Sequence, residues 1–201
     1  MAEVAERAWR LEVMEAGLPG GKQDQYAAAL GAFHLLEFTG DLVRFDPLEL
    51  PGGFAEWLER HIVVCYTGQS RVSAETIARV MGRYANGDRT VTAALEGIVE
   101  TAARMAEAMR AGDGPAVGRL LSVNWRHQQA LDAGIQTALM AKLETSMRAA
   151  GAVGGKAAGA GAGGSMFFLF DRDPARVRDL ARAEGASVLP FRWSREGVRA
   201  W

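Results

Sequence analysis

The chain has 201 residues, 49% of them hydrophobic and 23% charged, with a formal net charge of −1. That is enough length to bury a sizeable core and an ordinary globular composition, which excludes a disordered, fibrous or collagen-like protein. A near-neutral chain has no bulk field to draw nucleic acid or an anionic membrane, and the sequence holds no apolar run near the ~18 residues of a membrane span. One cysteine, Cys65, sits in the apolar run HIVVCYT and supports no disulfide framework, so core packing is its expected role. A cytoplasmic protein that binds neither nucleic acid nor membrane is the expectation.

Residues 2–16 carry helical periodicity. At 100° per residue Ala2, Ala5, Ala8, Trp9, Val13 and Ala16 share an arc, with Glu12 in its middle and Glu15 nearer its edge. No capping residue precedes the first turn, so the chain is expected to start inside a fold. GLPGG then breaks the pattern, and QDQYAAAL reads as a short helix ending at Gly31. Strand-like runs follow at 33–38, 42–45 and 61–67, and together predict a small antiparallel sheet. From 73 to 150 the pattern is mainly helical, with one face made by Ile77, Val80, Met81 and Tyr84. Another carries Val91, Leu95, Ile98, Ala102, Met105 and Met109. Turn chemistry at ANGD (85–88) and GDG (112–114) predicts the breaks. A glycine-rich run at 151–164 leads into the apolar strand MFFLF; Asp173 and Pro174 then open a helix to Glu184, and SVLPFRW is expected to form a last strand.

Asp24 follows GGK at the mouth of a helix, where backbone N–H groups and Lys22 attract negative charge. It can serve as an ordinary N-terminal helix acid or as a base that orients or deprotonates a hydroxyl. A carboxylate on an apolar face needs a partner, so Glu12 implies either a buried ion pair with an arginine or a metal ligand. A tight loop separates it from Asp24, and the chain can fold back to bring both carboxylates toward one pocket. GAVGGKAAGAGAGG could cradle a phosphate through backbone amides and Lys156, although it lacks the G-x-x-x-x-G-K-[ST] spacing. Thr67, Gly68, Ser70 and Arg71 follow an apolar strand and either hold an anionic group or cap the next helix. His34, His61 and His127 share no ligand spacing and read as structural.

The order of these segments resembles the GHMP kinase superfamily, the group of galactokinase, homoserine kinase, mevalonate kinase and phosphomevalonate kinase. GGKQDQYAAALG resembles its loop with an Asp after a glycine-rich turn, and GAVGGKAAGAGAGGSMFFLF its third motif. GKQDQYAAA, HLLEF, YTGQSR, GAVGGK and LPFRWSREGVRAW together resemble the heptose 7-phosphate kinases within it, over essentially the whole chain.

The resemblance implies an α+β protein, with the remainder of an α/β N-terminal domain over 1–70 and a ferredoxin-like C-terminal domain over 71–201. It implies ATP as co-substrate, Mg2+ held by Glu12, and Asp24 with Lys22 as catalytic residues. Sugar-phosphate contacts would come from Gln23, Gln25, Tyr26, Thr67, Gly68 and Arg71, with Arg71 on the phosphate. Gly159, Gly161, Gly163, Gly164 and Lys156 would lie near the nucleotide. Ala32 and His34 depart from a family GGxN, and Ala162 and Ser165 interrupt its glycine run. No segment resembles the first motif, or the second, Pro-x-x-x-Gly-Leu-Gly-Ser-Ser type phosphate loop, so the chain is expected to be a truncated or split C-terminal portion. It would be inactive alone and completed by an N-terminal-half partner chain or covered by a homodimer. The other reading is a non-catalytic remnant that binds a sugar phosphate or a protein.

Overall fold

A computed structural model of the chain describes residues 1–68 and 74–199. It divides into two compact units, Met1–Glu49 with Arg192–Trp201, and Leu50–Phe191.

The first unit opens with α1 (Ala2–Trp9), which runs directly into a π-helical turn at Arg10–Glu15. A π turn bonds i to i+5 and carries more residues per turn, so the 100° phase of the first eight residues does not continue through it. Glu12 is therefore exposed, not centred on an apolar face. Helix α2 (Gln23–Leu30) ends at Gly31, whose φ of 69° is left-handed; a Cβ there would also meet the backbone of Glu196 at 2.3 Å. Glycine is required on both counts. Strands β1 (His34–Thr39) and β2 (Leu42–Pro47) pair antiparallel, with His34 opposite Pro47 and Thr39 opposite Leu42. Leu36 and Val43 face a small core of Ala5, Tyr26 and Ala29. The segment 192–199 returns to this unit, with Ser194 O accepting from Ala32 N and Ala29 O from Val198 N.

The second unit is larger. Helix α3 (Phe54–His61) leads straight into β3 (Ile62–Tyr66), followed by four helices: α4 (Ala74–Ala85), α5 (Arg89–Ala111), α6 (Gly114–Leu131) and α7 (Ala138–Ala149). Then come β4 (Ala152–Ala157), β5 (Ser165–Phe170), α8 (Val177–Ala183) and the short β6 (Ser187–Leu189). The sheet order is β4-β5-β3-β6 with every pair antiparallel, the arrangement of a ferredoxin-like split β-α-β sheet. Strand β3 thus joins β5 and β6 rather than the β1–β2 ribbon, so the expected three-stranded sheet does not form. Val63 opposite Phe168 and Cys65 opposite Met166 on one face, and Ile62 opposite Leu169 on the other, explain this: β3 is apolar on both faces and fits the middle of a sheet. The compact units part between Glu49 and Leu50.

Both turn signals in the helical stretch mark real caps. Asp88 accepts from the Thr90 and Val91 amides and Asp113 from Ala116 N, each satisfying orphan donors of the next helix. Met81 and Tyr84, expected to pack, are exposed on α4, whereas Val80 is buried. The final strand stops at Leu189 because Pro190 has no N–H to extend the ladder. Helix α6 crosses β4 at backbone contact: a Cβ on Gly154 would fall 1.7 Å from Gly118 O. Behind β3, β4 and β5, Val91, Trp125, Met140, Leu143, Met147, Met166 and Phe168 build the main core.

Cys65 is fully buried in this core, and burial pushes its thiol up to about 11. The thiolate is the reactive form, so a disulfide reagent at pH 8 is expected to label native protein far more slowly than denatured protein. Fast native labelling would put Cys65 outside the core.

Candidate functional site

In the first unit the charged groups gather between the π turn and α2. Lys22 Nζ donates to both carboxylate oxygens of Glu6 at 3.0 Å and lies 4.2 Å from the Trp9 ring centroid, with its side chain 13% exposed. Its ammonium is thus held by Glu6 and the indole face rather than by Asp24. Tyr26 is buried, packs edge-on against Phe38 and donates its hydroxyl to Glu6 Oε2 at 3.4 Å. Burial first, and then Glu6, raises its phenol above the ordinary value.

Gln25 Nε2 donates to Glu12 Oε2 in a short hydrogen bond. This bond ties the π turn to the first turn of α2, so the Glu12 carboxylate sits against the residue next to Asp24. Asp24 itself is exposed in that first turn, as is Gln23. Gln25 Oε1 is buried and has no hydrogen-bond partner, nor has the indole N–H of Trp9. A buried acceptor left open suits a donor from outside the protein, such as a hydroxyl. An open groove of ≈ 680 Å³ runs past Glu6, Trp9, Arg10, Met14, Lys22 and Asp41.

The second unit carries the glycine loop, which joins β4 to β5. Gly159, Gly161, Gly163 and Gly164 all have positive φ, and so does Ala162 at 59°. The loop is fixed at three points. Gly164 O accepts from Thr67 N at 2.9 Å and Thr67 Oγ1 at 2.8 Å, Gly159 O accepts from Gln128 Nε2 at 2.7 Å, and Ala162 N donates to Ile135 O at 2.7 Å. Thr67 is therefore buried as a loop support, and Gly68 beside it is exposed with φ of 75°. Lys156 lies on β4 opposite Phe167, half-buried and with no ion-pair partner among the described residues; burial pushes its amine down.

The sequence-predicted residues thus fall into two groups. Lys22, Gln23, Asp24, Gln25, Tyr26 and Glu12 come together in the first unit; Thr67, Gly68, Lys156 and the glycines come together in the second. Arg71 lies outside the described residues. No three His, Cys, Asp or Glu side chains converge as a metal cage among the described residues. Two contributors were not anticipated, Glu6 and Gln128. Glu6 had a signal: it shares the i, i+4, i+7 stripe of Ala2, Trp9 and Val13. Gln128, on a helix, had none.

An antiparallel ferredoxin-like sheet with a glycine-rich hairpin and packed helices defines an α+β class, and residues 105–186 match the family described as GHMP kinases C terminal. The chain carries a GHMP kinase C-terminal domain. Over 203 residues it is 31% identical to the D-glycero-alpha-D-manno-heptose 7-phosphate kinase of Campylobacter jejuni, covering 99% of this chain and 59% of that protein. The mevalonate kinase of Pyrococcus abyssi is 28% identical over 202 residues, 98% of this chain and 56% of that one. A Campylobacter jejuni crystal structure described as a sugar kinase superposes with a TM-score of 0.72 at 28% identity, covering 100% of this chain and 57% of that chain. The D-glycero-D-manno-heptose 1-phosphate kinase from Bacteriodes thetaiotaomicron gives 0.63 at 26% identity, covering 98% and 55%. The chain spans rather more than half the length of these relatives. No helix among the described residues is long and apolar enough to cross a membrane.

Proposed function

We propose that this chain is the C-terminal part of an ATP-dependent kinase that phosphorylates a hydroxyl of a sugar phosphate, heptose 7-phosphate or a close analogue, at the anomeric position. The observation that carries this is the Gln25–Glu12 hydrogen bond, which sets a second carboxylate beside the helix turn bearing Asp24. In that role Asp24 orients the sugar hydroxyl and takes its proton as the oxygen attacks the γ-phosphorus, the bond from that phosphorus to the β–γ bridging oxygen breaks and ADP leaves. Gln25 Oε1, buried and open, accepts from a neighbouring sugar hydroxyl. Lys22 and Tyr26 act at one remove, holding Glu6 and the entry to α2, while Gln23 is exposed toward substrate. Arg71 is assigned the sugar's phosphate by the resemblance alone.

Magnesium fits the donor set in one form only. Mg2+ keeps several waters and is commonly held by one or two carboxylates together with substrate phosphates, and Glu12 offers one exposed carboxylate of that kind. When bound it neutralises charge on the transferring phosphoryl group. Lys156 and the glycine loop, with its positive-φ backbone, are suited to an anionic group near the nucleotide. The domain boundary at 70/71 belongs to this family reading, as does a cytoplasmic location.

The test is a single polypeptide in which the unaligned part of the Campylobacter jejuni heptose kinase is fused to this chain. Phosphate transfer to heptose 7-phosphate, followed by ³¹P NMR with ATP and Mg2+, is the expected result, with galactose a poor substrate. The unfused chain is expected to transfer none. A fusion that folds and binds ATP yet phosphorylates no sugar phosphate would remove the assignment.

A further inference from the structure

Helix α6 runs beside β4 and is fixed against it at successive levels. A Cβ on Gly118 would fall 2.7 Å from the Val153 side chain, and Ser122 Oγ accepts from Gly155 N at 3.4 Å. The fully buried Trp125 pins the next turn through Glu144. Gln128 follows on the same helix, buried, and its Nε2 donates to Gly159 O at 2.7 Å. A carbonyl oxygen only accepts, so its partner fixes which end of the Gln128 amide faces the loop. Gly159 is itself exposed, and water would satisfy its carbonyl equally well. The bond therefore serves the direction of the Gly159–Ala160 peptide. That peptide is trans, and in a trans unit the C=O and the following N–H point in opposite directions. With Gly159 O turned to α6, the Ala160 N–H turns away from α6, and it makes no hydrogen bond within the described residues. Gly159 has φ of 74° and nothing within 4 Å of a Cβ position, so the backbone accepts either sense of this plane and a side chain has to select one. The other two anchors act differently: Ile135 O takes up the Ala162 N–H, and Thr67 holds Gly164 O where β5 begins.

We propose that Gln128 is a positioning residue: by holding Gly159 O it aims the Ala160 N–H at a phosphate oxygen of the nucleotide, without touching the nucleotide itself. The class of ligand is a polyphosphate, because an N–H bonded to a phosphate oxygen is a charge-assisted hydrogen bond, about twice as strong as one between neutral groups. Lys156, on the strand that enters the loop and without an ion-pair partner among the described residues, adds positive charge to the same hairpin. The proposal rests on the kinase reading for the identity of the anion; the direction of the amide follows from the hydrogen bond and the peptide geometry.

The experiment titrates the full, ¹⁵N-labelled chain with inorganic tripolyphosphate and follows the Ala160 amide by NMR, for the unaltered chain and for Gln128→Met. Methionine keeps the length and removes the donor without adding charge, and the exposed Gly159 carbonyl passes to water, so an unchanged circular dichroism spectrum is expected. In the unaltered chain the Ala160 amide proton is expected to move downfield as tripolyphosphate binds. Gln128→Met is expected to lose that shift and to bind roughly tenfold more weakly. In the fusion with the unaligned Campylobacter jejuni segment, Gln128→Met is expected to raise KM for ATP roughly tenfold and to leave kcat at saturating ATP within about twofold, the mark of lost binding that ground and transition states share. An Ala160 amide that tripolyphosphate does not move in the unaltered chain overturns the proposal, whatever the variant does. So does a Gln128→Met chain that keeps both the shift and the affinity, or a fused variant that loses kcat with KM unchanged, which would make Gln128 a support of the fold alone. An Ala160 response that depends on Gln128, in a chain whose fusion transfers no phosphate, leaves the positioning role standing and removes the kinase reading alone.

Discussion

Replacing Asp24 by Asn is expected to lower turnover of the fused kinase by roughly 10² to 10⁴, the usual effect of losing a general base, with the fold intact. Both halves follow from where Asp24 sits. Its side chain is exposed in the first turn of α2 and accepts no hydrogen bond from the described residues, so removing its charge breaks nothing that holds the unit together. Substitutions at such positions usually move stability by less than about 0.5 kcal/mol. Steady-state kinetics of the fusion and a thermal melt of both proteins are the paired measurements. A fall in turnover accompanied by a large loss of melting temperature would make Asp24 a structural helix acid. Unchanged turnover would remove it from the mechanism.

Trp125→Ala is expected to destabilise the second unit by about 3 to 5 kcal/mol, the range for truncating a large buried aromatic. Trp125 is 0% exposed at the centre of the core, and its indole N–H donates to Glu144 Oε2 at 2.9 Å. The same carboxylate accepts from Gln136 at 3.0 Å and from Arg148, so the substitution opens a cavity and removes one donor from a shared acceptor. Urea unfolding followed by circular dichroism measures the loss. Trp125→Phe separates the two causes, since it restores most of the volume without the N–H. A loss below about 1 kcal/mol for alanine would mean the core does not close on this residue.

What could be read from the amino acids was mostly local. Asp88 and Asp113 announce helix starts through chemistry confined to three residues, and MFFLF announces a strand by composition alone. The interior of α2 and its end at Gly31 were legible for the same reason. The failures are those of phase and distance. The π turn at Arg10–Glu15 changes the residues per turn, which moved Glu12 from the middle of an apolar arc to the surface. The partner of β3 lies a hundred residues along the chain at Phe168, beyond the reach of any local pattern, and so the ribbon was credited with a strand it does not have. For the site, the residue types were visible but their engagements were not: nothing near Lys22 in sequence says that its charge goes to Glu6. Nor does anything near Thr67 in sequence say that its hydroxyl donates to Gly164 O.

The three anchors on the glycine loop change how its many glycines should be understood. A run of this kind in a free chain samples a very large number of backbone states, and ordering it against a ligand would cost about 1 kcal/mol or more for each residue fixed. Here Thr67, Gln128 and Ile135 hold carbonyls and an amide of the loop before any ligand arrives, so that entropy is already lost when the chain folds. The glycines serve shape rather than motion. An anion that meets this loop meets a rigid surface, and its affinity depends on the fit of that surface and not on the loop's willingness to settle.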